Sequence, residues 1–523
     1  MILCLLLSSC QPETITVETE KVVTQVVEVE VTKVVAGEPV VEVVTVTPEP
    51  EPVEPPTKIT WHAVTVSAAD IADVNVAASE YLQSKGVNAE LELLPYTYAE
   101  YFEKMPLMLT TGEECDLVFT ASWGDVNVHN FSSQGAFMPL DNLLPEYAPE
   151  LWASLTPEQW DAGRAIPGGR PITAVPNYGS WLPNRGMRVL VDILEKYPFE
   201  ALDRPSHIVT LEEWEPYMKM VMENEPDLEA FTPRVGYGSA SNDYGYEYIP
   251  SYNMAIVGSE DTSLQVVSLA DMPFYLEYAK TMKRWVDEGL MFGEALNTEE
   301  SIASYAAGRF AGALGYWTPS EDNRSKADYA GQLTRGAWTA KQHLAPFRTT
   351  VQMTAVCASS KAPEVAVQVL NMANTDPYFY NLISLGIEGQ HWNWVDQDKN
   401  LIAYPEGVNS SNVGYLHRNW MLASTFNLYY FNEVQADMKI EEIKRKLNET
   451  TPPSVLLGFV FDPTVVEAEI AECNAVRGEF TSQLNGGIAE DVEATMADLQ
   501  ATLKACGNDA ILAEIQAQLD AWK

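Results

Sequence analysis

The sequence predicts an α/β fold with a mainly parallel sheet, on three observations. Strand-like and helix-like runs alternate from residue 58 onward. Aromatic residues crowd the ends of the strand-like runs, and about 465 residues follow the amino-terminal segment, enough for two or three domains. The first run, KITWHAVTV, reads as a strand, ADIADVNVAASEYLQSKG as a helix ending at Gly86, and NAELELLPY as a second strand. TYAEYFEKMPLMLTTG then reads as a helix with Pro106 inside it, and CDLVFTASW as a third strand. Strand, helix, strand, helix, strand implies parallel neighbours with right-handed crossovers. Ligands of such sheets sit beyond the carboxyl ends of the strands. Here those ends carry Trp61 and His62, Tyr96 to Tyr98, and Trp123 to Asp125, which are mostly aromatic.

The chain opens MILCLLLSSCQPET. The apolar run Ile2 to Leu7 is far shorter than the roughly 20 residues a membrane span needs, and it reads as the end of a secretory apolar region. Leu7-Ser8-Ser9-Cys10 resembles a bacterial lipobox, in which the cysteine sulfur takes a lipid before cleavage. Residues 11 to 57 are rich in Val, Thr, Glu and Pro and hold no aromatic residue. The alternation in VVEVEVTKVV has the period of an edge strand, but the proline-spaced acidic end favours an extended or disordered tether. A tether behind Cys10 makes sense of that cysteine as a lipid anchor on a membrane surface.

A net charge of −42 argues against nucleic-acid partners. All thirteen tryptophans and all twenty-four tyrosines lie beyond residue 57, so a sizeable core is assured there. No CxxC spacing occurs. Cys115 and Cys357 sit in apolar strand-like runs and read as buried free thiols. Cys473 and Cys506 lie in successive helices, and an extracytoplasmic compartment would permit a bridge. A hairpin turning at Gly486-Gly487 would offset them by about six residues, or roughly 9 Å, which argues against one.

CDLVFTASWGD followed by GAFMPLDNLLPEYAPEL resembles the extracellular solute-binding proteins of bacterial ABC importers. PITAVPNYGSW, VDILEKYPF, the Thr210-to-Glu213 capping box, and YAAGRFAGALGYW continue the likeness. KAPEVAVQVLNMANTDPYFYNLISLGIEGQHWNW is similar to the long, carbohydrate-type lipoprotein branch. HRNWMLASTFNLYY and SVLLGFVFDPTVVEAEIAECNAV resemble the extra C-terminal domain of unknown function of that branch, closing in EIQAQLDAWK. Asp462 and Pro463 suit the start of a helix there. The chain departs from its relatives at Leu190 and Val191, where a basic pair is common.

The resemblance implies a two-lobed periplasmic-binding-protein-like fold of type II, each lobe a mainly parallel sheet flanked by helices, with a mainly helical C-terminal extension. The implied plan is a lipoprotein signal at 1–10, a tether at 11–57, the first part of the N-lobe at 58–177, the C-lobe at 178–340, a return and hinge segment at 341–400, and a C-terminal domain at 401–523 that completes the lobes. It implies a monomeric receptor that delivers a saccharide to permease subunits, facing outward on its lipid anchor, with no cofactor and no metal.

A sugar ring has an apolar face and a rim of hydroxyls, so a site for it pairs flat aromatic platforms with planar polar groups. The candidates are Trp123 with Asp125, Tyr178 with Trp181, Tyr246 and Tyr248, Trp317, and Glu388 with Trp392 and Trp394. Trp123 and Trp317 are expected to approach one sugar from opposite sides. His391 reads as structural. The competing account for any one tryptophan is core packing. No GxSxG, HExxH, P-loop or dinucleotide motif occurs, and DQDKN at 396–400 lacks the glycine and glutamate of a calcium loop. The remaining rivals are a surface glycoside hydrolase and an oligopeptide receptor of the same fold.

Overall fold

The computed structural model describes residues 27–33, 40–46, 55–162, 164, 171–177, 179, 181, 185–233, 240–293, 307, 309–319, 333–344 and 346–522. The chain divides into a short unit, Met1–Pro55, and a large one, Pro56–Lys523. In the short unit β1 (Val27–Lys33) and β2 (Val40–Val46) pair antiparallel, from Val27 opposite Val46 to Lys33 opposite Val40. This corrects the expectation of an unpaired tether along these two stretches. The alternating VEVEVTK pattern has strand period, and Gly37 and Pro39, turn formers in the sequence between the strands, were overlooked.

The first lobe of the large unit begins with β3 (Thr57–Ala68), a helix at Ile71–Ser84, β4 (Ala89–Tyr96), a helix at Tyr98–Thr111 and β5 (Leu117–Thr120). These follow the sequence reading closely. β3 pairs parallel with β4 up to Val64 opposite Tyr96, and parallel with β5 at Trp61 and His62. The second helix starts on a capping box, Thr97 with Glu100, and runs through Pro106 to a left-handed Gly112.

Later strands complete this sheet. β6 (Ala174–Pro176) lies at its far edge, β14 (Met353–Val356) pairs antiparallel with both β5 and β6, and β17 (Tyr415–His417) pairs antiparallel with the last residues of β3. The sheet is therefore mixed: β3 to β6 run one way, β14 and β17 the other.

The second lobe departs further from a parallel arrangement. Its sheet has the order β13 (Thr334–Trp338), β7 (Arg185–Leu190), β12 (Gly312–Tyr316), β8 (Thr232–Pro233), with β7 antiparallel to both neighbours. Beside it β9 (Tyr246–Ile249), β10 (Tyr252–Gly258) and β11 (Val267–Ser268) form an antiparallel sheet. An apolar run looks the same in either strand direction, and long connections can bring a strand back in either sense.

Three helices, Glu467–Gly486, Val492–Ala505 and Asn508–Trp522, end the chain. Asp462 accepts hydrogen bonds from the backbone and hydroxyl of Thr464 at 3.0 and 2.6 Å but does not cap the helix expected to begin at Pro463, since a 3-10 turn at Thr464–Val466 comes first and the helix begins at Glu467. Cys473, Leu484, Leu499, Leu503, Ile511, Ile515 and Leu519 share one buried core with Tyr275, Met282 and Trp285 of the second lobe. Tyr415, Leu422, Ala423 and Phe426 instead join the core of the first lobe.

Two disulfides replace the free thiols expected from sequence. Cys115 and Cys357 bridge the start of β5 to the residue after β14, with Cα atoms 5.7 Å apart. The antiparallel pairing of these strands, 242 residues apart along the chain, creates the bridge and leaves no local signature. Cys473 and Cys506 are joined as well, with Cα atoms 5.3 Å apart. The turn is a five-residue connection, 487–491, rather than the glycine pair alone, so both cysteines stand at nearly the same distance from it.

The chain crosses between the lobes three times: after β6, between β13 and β14, and near 448–455. Asn448 holds the first crossing, its Nδ2 donating to Gly179 O at 2.6 Å and its Oδ1 accepting from Trp181 N at 3.1 Å. Leu344 N donates to Pro452 O at 3.0 Å, Ser454 N to Leu344 O at 3.1 Å, and Val455 N to Ser259 O at 3.1 Å. At the third crossing the Ser454 hydroxyl donates to Oε2 of Glu247, which is 1% exposed. Among the described residues Oε1 of this carboxyl has no hydrogen-bond partner. Burial pushes Glu247 up to about 8, against a smaller lowering by Ser454.

Between about pH 4.5 and 8 the folded chain therefore keeps a proton on Glu247 that the unfolded chain has released. Its contribution to stability falls as pH rises through that window and is flat above it. Glu247→Gln should raise the melting temperature relative to the parent more at pH 9 than at pH 5, in paired thermal melts. An equal difference at the two pH values would refute the assignment.

Candidate functional site

The carboxyl ends of β3, β4 and β5 carry a contiguous aromatic surface. Trp123 stands three residues past the end of β5 and is 48% exposed, unusual for so large an apolar side chain. Its indole Nε1 donates to Val351 O at 2.8 Å, and Ser122 N donates to Thr350 O at 2.9 Å. Both acceptors lie on the second crossing. The loop is braced from below by Thr120 Oγ1 on Val126 O at 2.7 Å and Asn127 Nδ2 on Ser122 O at 3.0 Å. A Cβ at Gly124 would stand 2.6 Å from the Phe102 ring, so a larger residue there would have to push that ring aside.

Around Trp123 the ring centroids of Phe102, Trp420 and Phe119 lie at 5.5, 6.2 and 6.4 Å. Tyr98, itself exposed, extends the surface at 4.8 Å from Phe102. Trp420 arrives from the turn after β17, and its carbonyl accepts from Asn177 Nδ2 at 3.2 Å on the first crossing. Thr354 Oγ1 of β14 lies 3.0 Å from Asn177 Oδ1 and 2.7 Å from Leu422 O, which holds that junction. Asp125 is exposed at the rim and has no ion-pair or hydrogen-bond partner among the described residues.

Beneath the surface, His62 Nδ1 lies 3.0 Å from the Tyr96 hydroxyl. Burial brings His62 down to about 4, so the ring is neutral at pH 7. Burial also raises the Tyr96 phenol, leaving it protonated. The wall is therefore aromatic and largely apolar, its successive rings tilted by 46 to 52° to one another, with Asp125 at one margin. It can stack against the apolar face of a ring and accept hydrogen bonds from hydroxyls.

The other residues expected at the site lie elsewhere. Trp317 is fully buried, edge-on to Trp338 at 5.5 Å. It fills room left by two glycines: a Cβ at Gly336 would stand 2.7 Å from the Trp317 indole, and one at Gly186 3.0 Å from its Cβ. It does not face Trp123 across an opening. Trp181 is buried in the same core, its backbone N held by Asn448.

Tyr246 and Tyr248 are half-buried against the second-lobe core, Tyr246 stacking on Phe274 at 5.1 Å. The turn preceding them is tied down by a buried ion pair, Arg185 Nε to Asp243 at 2.6 Å. Trp392 is buried in a satellite cluster with Trp394 and Tyr429, its Nε1 donating to Gly386 O at 2.8 Å. Glu388 is exposed on the adjoining turn. Among the described residues no hydrogen bond or ring contact links Trp392, Trp394 or Glu388 to Trp123. His391 is structural, accepting from Ile387 N at 2.9 Å with its other nitrogen 3.2 Å from Asp70. Tyr178 and Cys10 lie outside the described residues.

The structure thus brings together Trp123, Asp125, Tyr96 and Tyr98, which stand at strand ends in the sequence. Trp420 and Phe102 were missed. Trp420 follows a strand paired to β3 from more than 340 residues away, a pairing with no local signal. Phe102 lies on a helix face that reads as core.

Residues 455–523 match the model of a domain of unknown function, DUF3502. The chain is 24% identical over 475 residues, 86% of its length and 88% of the relative's, to a carbohydrate ABC transporter substrate-binding protein of Streptococcus pneumoniae serotype 4. Among solved structures, the N-glycan transport solute binding protein NgtS of Streptococcus pneumoniae superposes with a TM-score of 0.76 at 21% identity, over 89% of this chain and 98% of that one. An HMO-binding, ABC-transporter-associated solute binding protein of Bifidobacterium longum infantis gives 0.61 at 14% identity, over 89% and 99%. The chain has the fold of these solute-binding proteins.

Trp317→Ala should lose about 3 to 5 kcal/mol of stability, as for a large core side chain, whereas Trp123→Ala should melt within a few degrees of the parent. Chemical denaturation of the two variants separates them, and the reverse order would show that the exposed platform has been misplaced.

Proposed function

We propose that this chain is the monomeric substrate-binding receptor of an ABC importer, which takes a saccharide between its two lobes and hands it to membrane permease subunits. The observation that carries the reading is Trp123: a large apolar ring, half-exposed at the carboxyl ends of parallel strands and held to a lobe crossing through its indole N–H. The likeness to a carbohydrate ABC transporter substrate-binding protein of Streptococcus pneumoniae supports it, as do the NgtS complexes with Man1GlcNAc and Man5GlcNAc. The chain binds and releases its ligand without chemistry on it.

On this reading the ligand shifts the lobes between open and closed arrangements by rotation about the three crossings. Man1GlcNAc and Man5GlcNAc are the first probes, followed by an array of neutral and acidic glycans. At least one glycan should bind the full chain. Trp123→Ala should weaken that binding by about one to two decades, the loss expected for one stacking platform. Absence of binding across the array, or unchanged affinity in the variant, would sink the proposal.

We also place the receptor on the outer face of the cytoplasmic membrane through a lipid on Cys10. Among the described residues no helix is long and apolar enough to cross a membrane. The support is the Leu7-to-Cys10 motif together with the Val/Thr/Glu/Pro segment behind it. Cys10→Ala should move the protein from the membrane fraction to the soluble extracytoplasmic fraction. Equal retention on membranes would remove the anchor.

A further inference from the structure

The aromatic surface has one charged neighbour unlike the rest. Arg418 is exposed, and its guanidinium carbon lies 5.3 Å from the centre of the Tyr98 ring. Its backbone is fixed on both sides, N donating to Val64 O at 3.0 Å and O accepting from Met421 N at 2.8 Å. Trp420 is two residues further on, and the rings Tyr98, Phe102, Trp123 and Trp420 follow one another at 4.8, 5.5 and 6.2 Å. The arginine is therefore part of the same wall, laid on its outermost ring.

The chain holds 74 acidic residues against 32 basic ones, so an exposed cation has many carboxylates to choose from. Among the described residues Arg418 pairs with none of them. Its five N–H donors are aligned in a plane and stay available, while the contact with Tyr98 reduces the rotamer freedom that a ligand would otherwise have to freeze. A planar fork of donors matches two neighbouring oxygens. The wall has an acceptor at its rim in Asp125 and lacks a matching donor, and Arg418 supplies it.

Resting on the saccharide reading above, we propose that Arg418 contacts the ligand, donating through its fork to two adjacent oxygens of the sugar that stacks along the Trp123 and Trp420 wall. Tyr98 is the positioning residue that holds the fork in place. Adjacent oxygens occur as vicinal hydroxyls in neutral sugars and as the carboxylate of a uronic acid. The two sources differ in their response to salt: a vicinal pair gives an affinity nearly independent of ionic strength, a carboxylate one that falls with it.

The experiment uses the full chain and the glycan array, with calorimetric titration of the best-bound glycan at roughly 50 and 500 mM salt. Arg418→Ala and Arg418→Lys should both weaken binding by about tenfold or more, since lysine keeps the charge but not the fork, and both should melt with the parent. Tyr98→Ala should weaken binding with an unchanged melting temperature, while Tyr98→Phe, which keeps the ring, should bind as the parent does.

If a glycan binds and Trp123→Ala weakens it but Arg418→Ala does not, the role of Arg418 is refuted and the saccharide reading stands. Full binding by Arg418→Lys would refute the fork. If no glycan on the array binds the parent, the saccharide reading falls and this proposal falls with it.

Discussion

Three strands of chain join the two lobes, and the fold depends on how they are tied to one another. Asn448 of the third crossing fixes the backbone of the first at Gly179 and Trp181. The third crossing also pairs with the second at Leu344 and with the second lobe at Ser259. The exposed Trp123 and the half-buried Trp420 hang from the same junction: the Trp123 indole donates to Val351 of the second crossing, and the Trp420 carbonyl accepts from Asn177 of the first. Platform geometry and hinge geometry therefore cannot vary independently. On the proposed reading, a rotation about the crossings that moved Val351 or Asn177 would tilt the rings, and a ligand pressing on the rings would load the crossings. This is a coupling through single hydrogen bonds between neighbours, with no long pathway required.

Tryptophan serves two unlike purposes in this molecule, and local environment separates them. Trp317 lies over Gly186 and Gly336, where the missing side chains make a slot that only a flat ring fills without a void. Trp392 satisfies its N–H on Gly386 inside a small aromatic cluster. Trp123 also satisfies its N–H on backbone, yet nothing covers half of its surface among the described residues. A buried indole with its donor paired is ordinary packing. An exposed indole with its donor paired is held rigidly in water, which costs the chain apolar exposure and is explained by a partner that covers it.

The sequence makes the first lobe legible because each of its early elements announces itself locally. Alternation marks Thr57–Ala68 and Ala89–Tyr96, Thr97 and Glu100 mark the helix start, and Trp123 and Tyr98 follow strand ends, the general place for ligands of such sheets. What could not be read depends on contacts between distant segments. The direction of β7 against β12 and β13, the bridge between Cys115 and Cys357, and the arrival of Trp420 beside Trp123 join residues more than a hundred positions apart. Trp317 fails for a related reason. Its placement after a strand is the same as that of Trp123, and only the glycines on the neighbouring strands reveal that its side chain has a slot to fill.

The interleaving of the cores has a consequence for the order in which the protein is made. The first-lobe core includes Tyr415, Leu422 and Phe426, and the second-lobe core includes residues as late as Ile515 and Leu519. The second-lobe core is not complete until the last helix has been made, so the chain keeps the apolar surface of that lobe open to the end of synthesis. A polypeptide that must be threaded across a membrane before it folds is helped by this delay. On the proposed extracytoplasmic placement, late closure would keep the chain translocation-competent until the C-terminal helices reach the core that awaits them.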